Sequence, residues 1–539
     1  MCGIAGVVRC GVRRERISED LDRMWEGIAS RGPDGRGQLA EVGIGLLNAR
    51  LAVIDPAGGG QPVWSEDRSI GCVFNGEIYN FQGLRVQLEQ RGHRFSTCCD
   101  TEVLVHLYEE RKEDLVEDLR GMYAFAIYDR KRKAVVLGRD RFGMKPLFVA
   151  KVDRGIAFAS SISSLLSLGV SQDPDIAALT QYFRFLKVPE PATAYREVSS
   201  LLPGYMMEID VVTGVAAIRP GAQIGGPTNF SGSNGDADSV ARAKACFRRA
   251  IESHLVADVN VGAFLSGGID SSLVVAEAQS IASNPLRTFS ISFPGDARYD
   301  ETSRAKEVAE RVGTVHETIP ARSPSADDLR LAIGAAQQPF AVASFLPMLR
   351  LCETAVREVK VVLTGDGGDE VGAGYPWYRW IRWAGASRSG PLRTMIGDSL
   401  LRGLERRMSD ETAGGRALRR TVKFLRGVVL GGPRASDAWR YEVTNLEARR
   451  LLRPEHRSLV PTKELRSPTE LAWRDGDGGA GSLRRADLEV LLRDEMLPKV
   501  DRAGMAFGLE GRVPLLDDDF VTAMLAIPVE EHLSDPRGK

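Results

Sequence analysis

The chain has 539 residues, and its 71 Lys and Arg against 72 Asp and Glu give a formal net charge of −1. A near-neutral chain of this length has room for about two to four domains, and we expect no binding to nucleic acid or membranes. No apolar run reaches the roughly 18 residues that a transmembrane helix requires. Seven cysteines without paired metal-ligand spacing are typical of a reduced, cytoplasmic protein.

The first 200 or so residues have the pattern of a β-rich domain. Short apolar or alternating runs between turn signals predict strands at 4–8, 44–51, 70–74, 124–128, 134–137 and 156–159. Helical periodicity is found at 21–28 and 102–110. The interpretation is layers of sheet with helices packed outside them.

Cys2 is a candidate nucleophile, because it follows the initiator Met and a small second residue permits removal of that Met. The freed α-amino group, whose ordinary pKa is ~7.7–8.0, could act as general base for its own thiol. Most cysteines are simply small buried hydrophobes. Here a strand-like run fixes Cys2 at the start of a sheet, which favours the functional interpretation.

Polar residues near the predicted strands could complete a site around that thiol. Asn75 and Gly76 follow strand 70–74, and an amide beside a backbone N–H suits an oxyanion hole. Arg50 could clamp a carboxylate, while Glu77 and Asp100 could hold an ammonium group. An α-amino acid with a side-chain amide carries all these features. Simpler interpretations are a hairpin turn at Asn75-Gly76, a helix cap at Asp100 and a surface ion pair at Arg50.

A change of organisation follows residues 221–239, whose Gly, Ser, Asn and Asp content predicts a linker or surface loop. Beyond it, helices at 239–254, 271–281 and 301–312 alternate with strands at 259–265, 288–293 and 359–363. This alternation predicts a doubly wound, parallel α/β sheet. The Arg-rich stretch within 379–500 is typical of exposed helices.

A glycine-rich turn at 265–272 joins a buried strand to a helix. Gly267 and Gly268 allow close approach of an anion, and the helix start offers free N–H groups. Asp270 is placed to hold a magnesium ion between phosphate oxygens. Hydroxyl groups from three residues add donors: Ser266, Ser271 and Ser272. A capped turn without a ligand is the simpler alternative for this segment taken alone.

A second glycine-rich turn at 361–370 favours a nucleotide site over a capped turn without a ligand. It again ends an apolar strand and carries three acids among three glycines. At the carboxyl edge of a parallel sheet, Asp369 can meet Asp270 and supply a second magnesium ligand. Because no Gly-Lys-Ser/Thr ending is present, the pattern favours a pyrophosphate cradle and adenylate formation over the common P-loop.

Together these motifs resemble glutamine-hydrolysing asparagine synthetases over the whole chain. The segments that carry the resemblance are 1–4, 31–34, 50–51, 74–80, 100–102, 139–143, 265–272, 364–370, 499–502 and 510–517. The resemblance implies an N-terminal-nucleophile glutaminase of αββα layers at 1–215 and an ATP-pyrophosphatase synthetase domain at 240–539. Residues 216–239 would form the linker.

The resemblance also implies roles for the site residues. Glutamine would be hydrolysed at Cys2, with Asn75 and Gly76 as the oxyanion hole, and ammonia would pass through an internal tunnel to an acyl-adenylate. Glutamine would be bound by Arg50, Glu77 and Asp100. Magnesium would be held by Asp270 and Asp369. The implied ATP contacts are Phe264, Leu265, Ser266, Gly267, Gly268, Asp270, Ser271, Ser272, Ile291, Thr364 and Gly365.

The sequence is compatible with more than one acceptor and with more than one activity. The expected acceptor is aspartate, but residues 371–374 depart from the family pattern next to the acceptor pocket, so another carboxylate is an alternative. Related enzymes that close β-lactam rings lack the N-terminal cysteine, so Cys2 favours ammonia transfer. The sequence stops where family members continue with a Lys-bearing motif, so a glutaminase with an inactive, truncated synthetase half is a second alternative. A non-enzymatic binding protein is a third, and a homodimer is compatible with the sequence.

Overall fold

A computed structural model describes residues 2–224, 237–295, 300–386, 400–401, 403–404, 413–441, 443, 445–460, 466–474 and 478–534. The first half contains two six-stranded antiparallel sheets, in the orders β10-β8-β9-β1-β3-β2 and β12-β11-β7-β6-β5-β4. Strands β1 to β12 are Gly3–Arg9, Gly35–Glu41, Ile44–Arg50, Val63–Trp64, Ile70–Ile78, Gly121–Asp129, Ala134–Arg139, Phe148–Val152, Gly155–Ala159, Val198–Ser200, Tyr205–Asp210 and Ala216–Pro220. Helices α1 to α6 are Arg14–Trp25, Phe81–Gln90, Glu102–Arg111, Leu115–Asp118, Ile162–Leu166 and Ile176–Phe185.

The layer order follows from alternation along the strands. In β1, Ile4 and Val8 face the second sheet and pack in one cluster with Val73, whereas Val7 points outward and packs with Leu21 of α1. Successive side chains of a strand point to opposite faces, so a strand with both faces buried lies between two layers. Helices α2 and α3 cover the outer face of the second sheet. The αββα arrangement is confirmed.

The position of helix α1 differs from the prediction. The helix expected at 21–28 runs instead from Arg14 to Trp25. Its buried face is formed by Ile17, Leu21 and Met24, which recur at helical spacing from a point earlier than the predicted start. After α1 the chain tightens into a 3₁₀ turn, Ala29–Arg31.

The second half is built on a five-stranded parallel sheet in the order β15-β14-β13-β16-β17. Strands β13 to β17 are Val261–Phe264, Arg287–Ser292, Val315–Pro320, Val361–Leu363 and Glu510–Arg512. Helices α7 to α22 are Ala237–His254, Ile269–Ile281, Thr302–Val312, Ala326–Ala336, Phe345–Ala355, Gly368–Val371, Pro376–Ala386, Ala413–Leu430, Gly432–Arg440, Asn445–Leu451, Pro454–Arg457, Pro468–Ala472, Gly478–Ala486, Leu497–Met505, Asp518–Leu525 and Val529–His532. A π-helical segment, Asp487–Met496, precedes α20.

Helices cover both faces of this sheet. Val361 and Leu363 of β16 pack with α8 and α9 on one side, while Val362 packs with α11 and α20 on the other. The predicted doubly wound parallel sheet is therefore confirmed. Strand β17 was not predicted, because Glu510 and Arg512 are charged residues in a three-residue strand and carry no apolar pattern.

The two halves share one apolar core. Leu51, Met122 and Phe142 of the first half are buried in the same cluster as Met505 and Leu515 of the second. Part of the predicted linker is regular structure, since residues 216–220 form β12 and a helix begins at Ala237. Residues 225–236 lie outside the described part. In the described residues, no helix has both the length and the apolar character that crossing a membrane requires.

Candidate active sites

Cys2 lies just before β1, and its side chain is buried. Its backbone nitrogen donates a hydrogen bond to Asn75 Oδ1 at 3.0 Å, and Asn75 Nδ2 donates to Ser160 Oγ at 3.4 Å. Asn75 lies in the middle of β5, paired with Ala124 of β6, so it is a strand residue and not part of a hairpin turn. The group that becomes the α-amino nitrogen after removal of Met is thus held by the predicted oxyanion residue.

The thiol of Cys2 has polar neighbours that the sequence analysis did not single out. Burial raises the pKa of the thiol, whereas hydrogen bonds from Leu51 and Asn48 act to lower it. Gln61 Nε2 lies 4.0 Å from Cys2 Sγ, while its Oε1 accepts from the Phe74 amide at 2.7 Å. The sequence contained one indication of these neighbours, namely Asn48, a polar residue that interrupts the apolar part of strand β3.

A small cavity opens beside Cys2 and collects four of the other five predicted residues of this site, Asn75 being the exception. Those that line it with Cys2 are Arg50, Gly76, Glu77 and Asp100. Gly76 has no room for a side chain, since a Cβ atom there would lie 2.0 Å from the Met122 carbonyl oxygen. This close packing leaves the strand backbone itself at the cavity wall. The structure therefore brings the predicted glutamine-site residues together around one thiol.

Arg50 and Asp100 are held by backbone groups. The Arg50 guanidinium donates to the carbonyl oxygen of Pro56 at 2.9 Å, so it is not a surface ion pair. Asp100 accepts from the Ile78 amide at 2.9 Å and makes no cap of α3, whose preceding residue is Thr101. Burial raises the pKa of Asp100 to about 6, although the Ile78 hydrogen bond opposes this shift.

Glu77 connects the cavity to the second half of the chain. Arg512 Nη2 of β17 donates to Glu77 Oε2 at 3.0 Å, and Arg512 Nε donates to Glu510 at 2.6 Å. The same guanidinium donates to the His254 carbonyl oxygen at 2.8 Å. Tyr79, two residues beyond Glu77, stacks on the His254 ring with centroids 3.7 Å apart. A residue of the predicted glutamine site is therefore held by a side chain of the second half of the chain.

A larger cavity of about 660 Å³ lies at the carboxyl ends of β13, β14 and β16. Ten predicted nucleotide or metal residues line it: Phe264, Leu265, Ser266, Gly268, Asp270, Ser271, Ile291, Thr364, Gly365 and Asp369. Two predicted contacts do not. Gly267 has φ +79° and packs against α9, where a Cβ atom would lie 2.7 Å from the Ala305 nitrogen. Ser272 lies further along the first turn of α8.

The two glycine-rich loops are in direct contact. A Cβ atom on Gly365 would lie 2.7 Å from the Ser271 nitrogen, and one on Gly368 would lie 2.4 Å from Asp270 Cγ. Only glycine allows this approach. It places the Asp270 carboxylate against the backbone next to Asp369, so two carboxylates share one cavity. Carboxylate oxygens are the ligands that magnesium prefers, so this pair fits the predicted ion.

Lys499 and Asp366 add a charged pair to the wall of this cavity. Lys499 Nζ donates to Asp366 Oδ1 at 2.9 Å, and both residues line the cavity. In the sequence both residues belong to longer motifs, at 364–370 and 499–502, and neither was a candidate site residue. Glu370 also lines the wall and accepts from the Tyr375 hydroxyl at 2.8 Å. Burial raises the pKa of Glu370 to about 8, which favours a neutral carboxyl group near neutral pH.

Apolar side chains connect the surroundings of the two cavities. Leu51 and Val53 line the Cys2 cavity and belong to the same buried cluster as Leu363 and Val371, beside the nucleotide loops. These contacts cross from one half of the chain to the other. One buried apolar cluster thus extends from the Cys2 cavity to the residues next to the nucleotide loops.

Comparisons with known proteins match the two halves of the chain to two family models. Residues 1–215 match a family model described as a glutamine amidotransferase domain, and residues 242–539 match one described as asparagine synthase. An asparagine synthetase [glutamine-hydrolyzing] 1 of Bacillus subtilis (strain 168) is 30% identical, with 98% of this chain and 82% of that protein covered. A putative asparagine synthetase [glutamine-hydrolyzing] of Mycobacterium tuberculosis (strain ATCC 25618 / H37Rv) is 32% identical at the same coverage. Among solved structures, an allosteric regulatory enzyme of purine biosynthesis aligns with a TM-score of 0.32 at 16% identity, covering 60% of this chain and 81% of that one.

Proposed function

The chain belongs to the glutamine-hydrolysing asparagine synthetase family, and from this premise we propose that it transfers ammonia from glutamine to an ATP-activated carboxylate. The proposed acceptor is aspartate, and the products are asparagine, glutamate, AMP and pyrophosphate. The observation that carries the proposal is the presence of two assembled sites, one around Cys2 and one around Asp270 and Asp369, on either side of one apolar core.

Glutamine hydrolysis would begin at Cys2. The α-amino group takes the proton of the thiol, and the thiolate attacks the side-chain amide carbon of glutamine. The Gly76 N–H and the Asn75 amide stabilise the negative oxygen of the tetrahedral intermediate, and Asn75 exchanges its contact with Ser160 for this role. The C–N bond then breaks, ammonia leaves, and water hydrolyses the thioester to release glutamate.

Glutamine would be oriented by its α-carboxylate and α-ammonium groups. Arg50 binds the carboxylate, and Asp100 and Glu77, which line the same cavity, bind the ammonium group. Because Arg512 already contacts Glu77, the position of that carboxylate depends on the synthetase half. This arrangement gives the second domain a direct part in shaping the glutamine site.

Activation of the acceptor would occur in the larger cavity. The loop 265–272 and the start of α8 bind the phosphates of ATP, and Asp270 and Asp369 would hold magnesium, which neutralises phosphate charge when bound. An acceptor carboxylate oxygen attacks the α-phosphorus, and pyrophosphate leaves. Ammonia then attacks the acyl carbon and AMP departs. Lys499 provides a cation beside these negative groups.

Ammonia would travel through the apolar core that separates the cavities. Neutral ammonia can pass between apolar side chains, whereas an ammonium ion would have to lose its water at a large cost in free energy. The route proposed here runs from Leu51 and Val53 towards Leu363 and Val371.

We also propose the domain division 1–215 and 240–539 with a connecting segment at 216–239, and, from the sparse cysteines, a cytoplasmic location.

Product analysis tests this function. The protein is incubated with ATP, magnesium and aspartate, with either glutamine or ammonium chloride as nitrogen source, and AMP, pyrophosphate, glutamate and asparagine are quantified. We expect all four with glutamine, and all but glutamate with ammonium. Glutamate release without AMP would identify a glutaminase alone. AMP formation that aspartate fails to stimulate, but another carboxylic acid does, would replace the acceptor and keep the mechanism.

A further inference from the structure

Four side chains of the first domain, away from both cavities, converge on one point. Glu66 lies in the turn between β4 and β5, His93 follows α2, and His106 and Glu109 lie one turn apart on α3. We call these four residues the histidine–glutamate cluster. One ligand atom from each residue lies within 4.8 Å of the corresponding atoms of the others. None of the four takes part in the chemistry proposed above.

The distances within the cluster suit a tetrahedral metal ion. His106 Nδ1 lies 3.4 Å from a Glu66 carboxylate oxygen and 3.6 Å from one of Glu109. His93 Nδ1 lies 3.7 Å from the other carboxylate oxygen of Glu66 and 3.5 Å from the same Glu109 oxygen. Zinc–nitrogen and zinc–oxygen bonds of about 2.0–2.2 Å place neighbouring tetrahedral ligands ~3.3–3.6 Å apart. Both imidazoles present the same ring nitrogen to the shared point.

His106 provides an independent indication of a ligand. Its side chain is fully buried, and neither ring nitrogen has a hydrogen-bond partner among the residues that the structure describes. Leaving a buried polar group without a hydrogen bond destabilises the folded protein. If a protonated imidazole paired directly with these carboxylates, the nitrogen–oxygen distances would be about 2.7–2.9 Å. The observed separations are longer and leave space for a cation between the groups.

A carboxylate also lies near the second ring nitrogen, Nε2, of each imidazole. His93 Nε2 lies 3.3 Å from Glu110 Oε1, and His106 Nε2 lies 3.7 Å from Glu102 Oε1. Glu102 is itself held by the amides of Ser96 and Thr97. A carboxylate behind the second ring nitrogen is the arrangement that orients metal-binding histidines and raises their basicity.

We propose that the histidine–glutamate cluster binds one divalent transition-metal ion, with zinc as the best match to two imidazoles and two carboxylates. Four protein ligands fill a tetrahedral site and leave no open position, so the site is structural. The ion would join the turn after β4, the segment after α2 and helix α3. Because α3 begins at Glu102, two residues after Asp100, the same ion would stabilise the position of one wall of the glutamine cavity.

Zinc stoichiometry of the full-length protein tests this inference. The protein is stripped with a chelator, reloaded with zinc, desalted and analysed by inductively coupled plasma mass spectrometry. Wild type should retain one zinc ion more per chain than Glu66→Gln and His93→Gln, whose side chains are partly exposed and replaceable without unfolding. Asp67→Asn is the matched control, since Asp67 neighbours Glu66 but pairs with Lys131.

Cobalt substitution gives a second readout that separates this site from the cysteines. Tetrahedral cobalt absorbs strongly in the visible range, and this band should persist in Cys2→Ala and vanish in His93→Gln. Glu110→Gln, which removes the carboxylate behind His93, should weaken binding by about 10–100-fold without abolishing it. Equal zinc content in wild type, Glu66→Gln and His93→Gln would overturn the proposal, as would loss of zinc in Asp67→Asn to the same extent.

Discussion

Arg512 and Glu77 form a buried ion pair at 3.0 Å although they are 435 residues apart in the chain. Arg512 belongs to the last strand of the parallel sheet, and Glu77 belongs to the β5 strand that also carries the predicted oxyanion residue Asn75. The Cys2 cavity and the synthetase half therefore meet through one guanidinium group. Ammonia transfer needs the sites to stay aligned, and this contact supplies a direct physical reason why they do.

Replacing Arg512 should destabilise the whole protein. In Arg512→Met the carboxylates of Glu77 and Glu510 lose their buried partner, and breaking such a pair costs about 3–5 kcal/mol. Thermal unfolding followed by circular dichroism should show a clearly lowered Tm. Arg248→Met is the control, because Arg248 pairs with Glu252 at the surface and such pairs contribute about 0–1 kcal/mol. Equal Tm values for the two variants would contradict the assigned role.

Replacing the nucleophile should separate the two half-reactions. Cys2→Ala should lower glutamine-dependent asparagine formation by about 10³-fold or more, while ammonia-dependent formation stays near the wild-type rate. The reason is that ammonia enters after the thiol has acted. Cys98→Ala, at an exposed cysteine, should leave both activities unchanged. Equal loss of both activities in Cys2→Ala would argue against two separate sites.

Adding a methyl group between the nucleotide loops should stop adenylation. In Gly365→Ala the new Cβ atom would lie 2.7 Å from the Ser271 nitrogen, so the loops must move apart and carry Asp270 out of place. A displacement of about 1 Å can lower a rate by ~10²-fold. Pyrophosphate release is the measurement, with glutamine hydrolysis as the internal reference. Gly334→Ala, where a Cβ atom meets no neighbour within 4 Å, is the matched control. Full pyrophosphate release by Gly365→Ala would disprove the close contact.

Removing the cation of the large cavity should impair synthesis selectively. Lys499→Met leaves Asp366 as an unpaired negative charge facing the phosphates and the acceptor carboxylate. We expect at least about tenfold slower AMP formation with unchanged glutamine hydrolysis, since unpaired buried charge is costly. Lys499→Arg should recover part of the activity. An unaffected rate in Lys499→Met would place this lysine outside the reaction.

Glutamine binding should depend on pH through Asp100. Burial raises the pKa of this carboxyl to about 6, so it is charged above that pH and neutral below it. Loss of the charge removes the partner of the substrate ammonium group, and kcat/KM for glutamine hydrolysis should fall as pH drops through about 6. A glutamine analogue without the α-amino group should lack this limb of the profile. The same limb with both substrates would assign the titration to another residue.

Local sequence patterns predicted much of the fold because they report burial and backbone conformation over a few residues. The apolar runs of β1 and β3 followed from the burial of both faces of these strands, and the glycine turns at 265–272 and 364–370 followed from the backbone approach that only glycine allows. Cys2 stood out through its position next to the initiator Met. In each case the signal and its structural cause lie in the same short segment.

Other features depend on contacts between distant segments and left no such signal. Strand β17 contains two charged residues that become buried only because each finds a partner, Arg512 with Glu77 and Glu510. Gln61 beside the Cys2 thiol and Lys499 beside Asp366 are also brought into place by tertiary packing.

The sequence by itself therefore determined the family, and it singled out Cys2 as the candidate nucleophile and two glycine-rich turns as candidate phosphate-binding segments. Only the tertiary structure decided that a synthetase arginine holds a glutaminase carboxylate, that one apolar cluster contains residues of both halves, and that two histidines and two glutamates converge. The physical reason is that the free energy of a buried charge depends on which groups surround it in space. Spacing along the chain does not specify those neighbours.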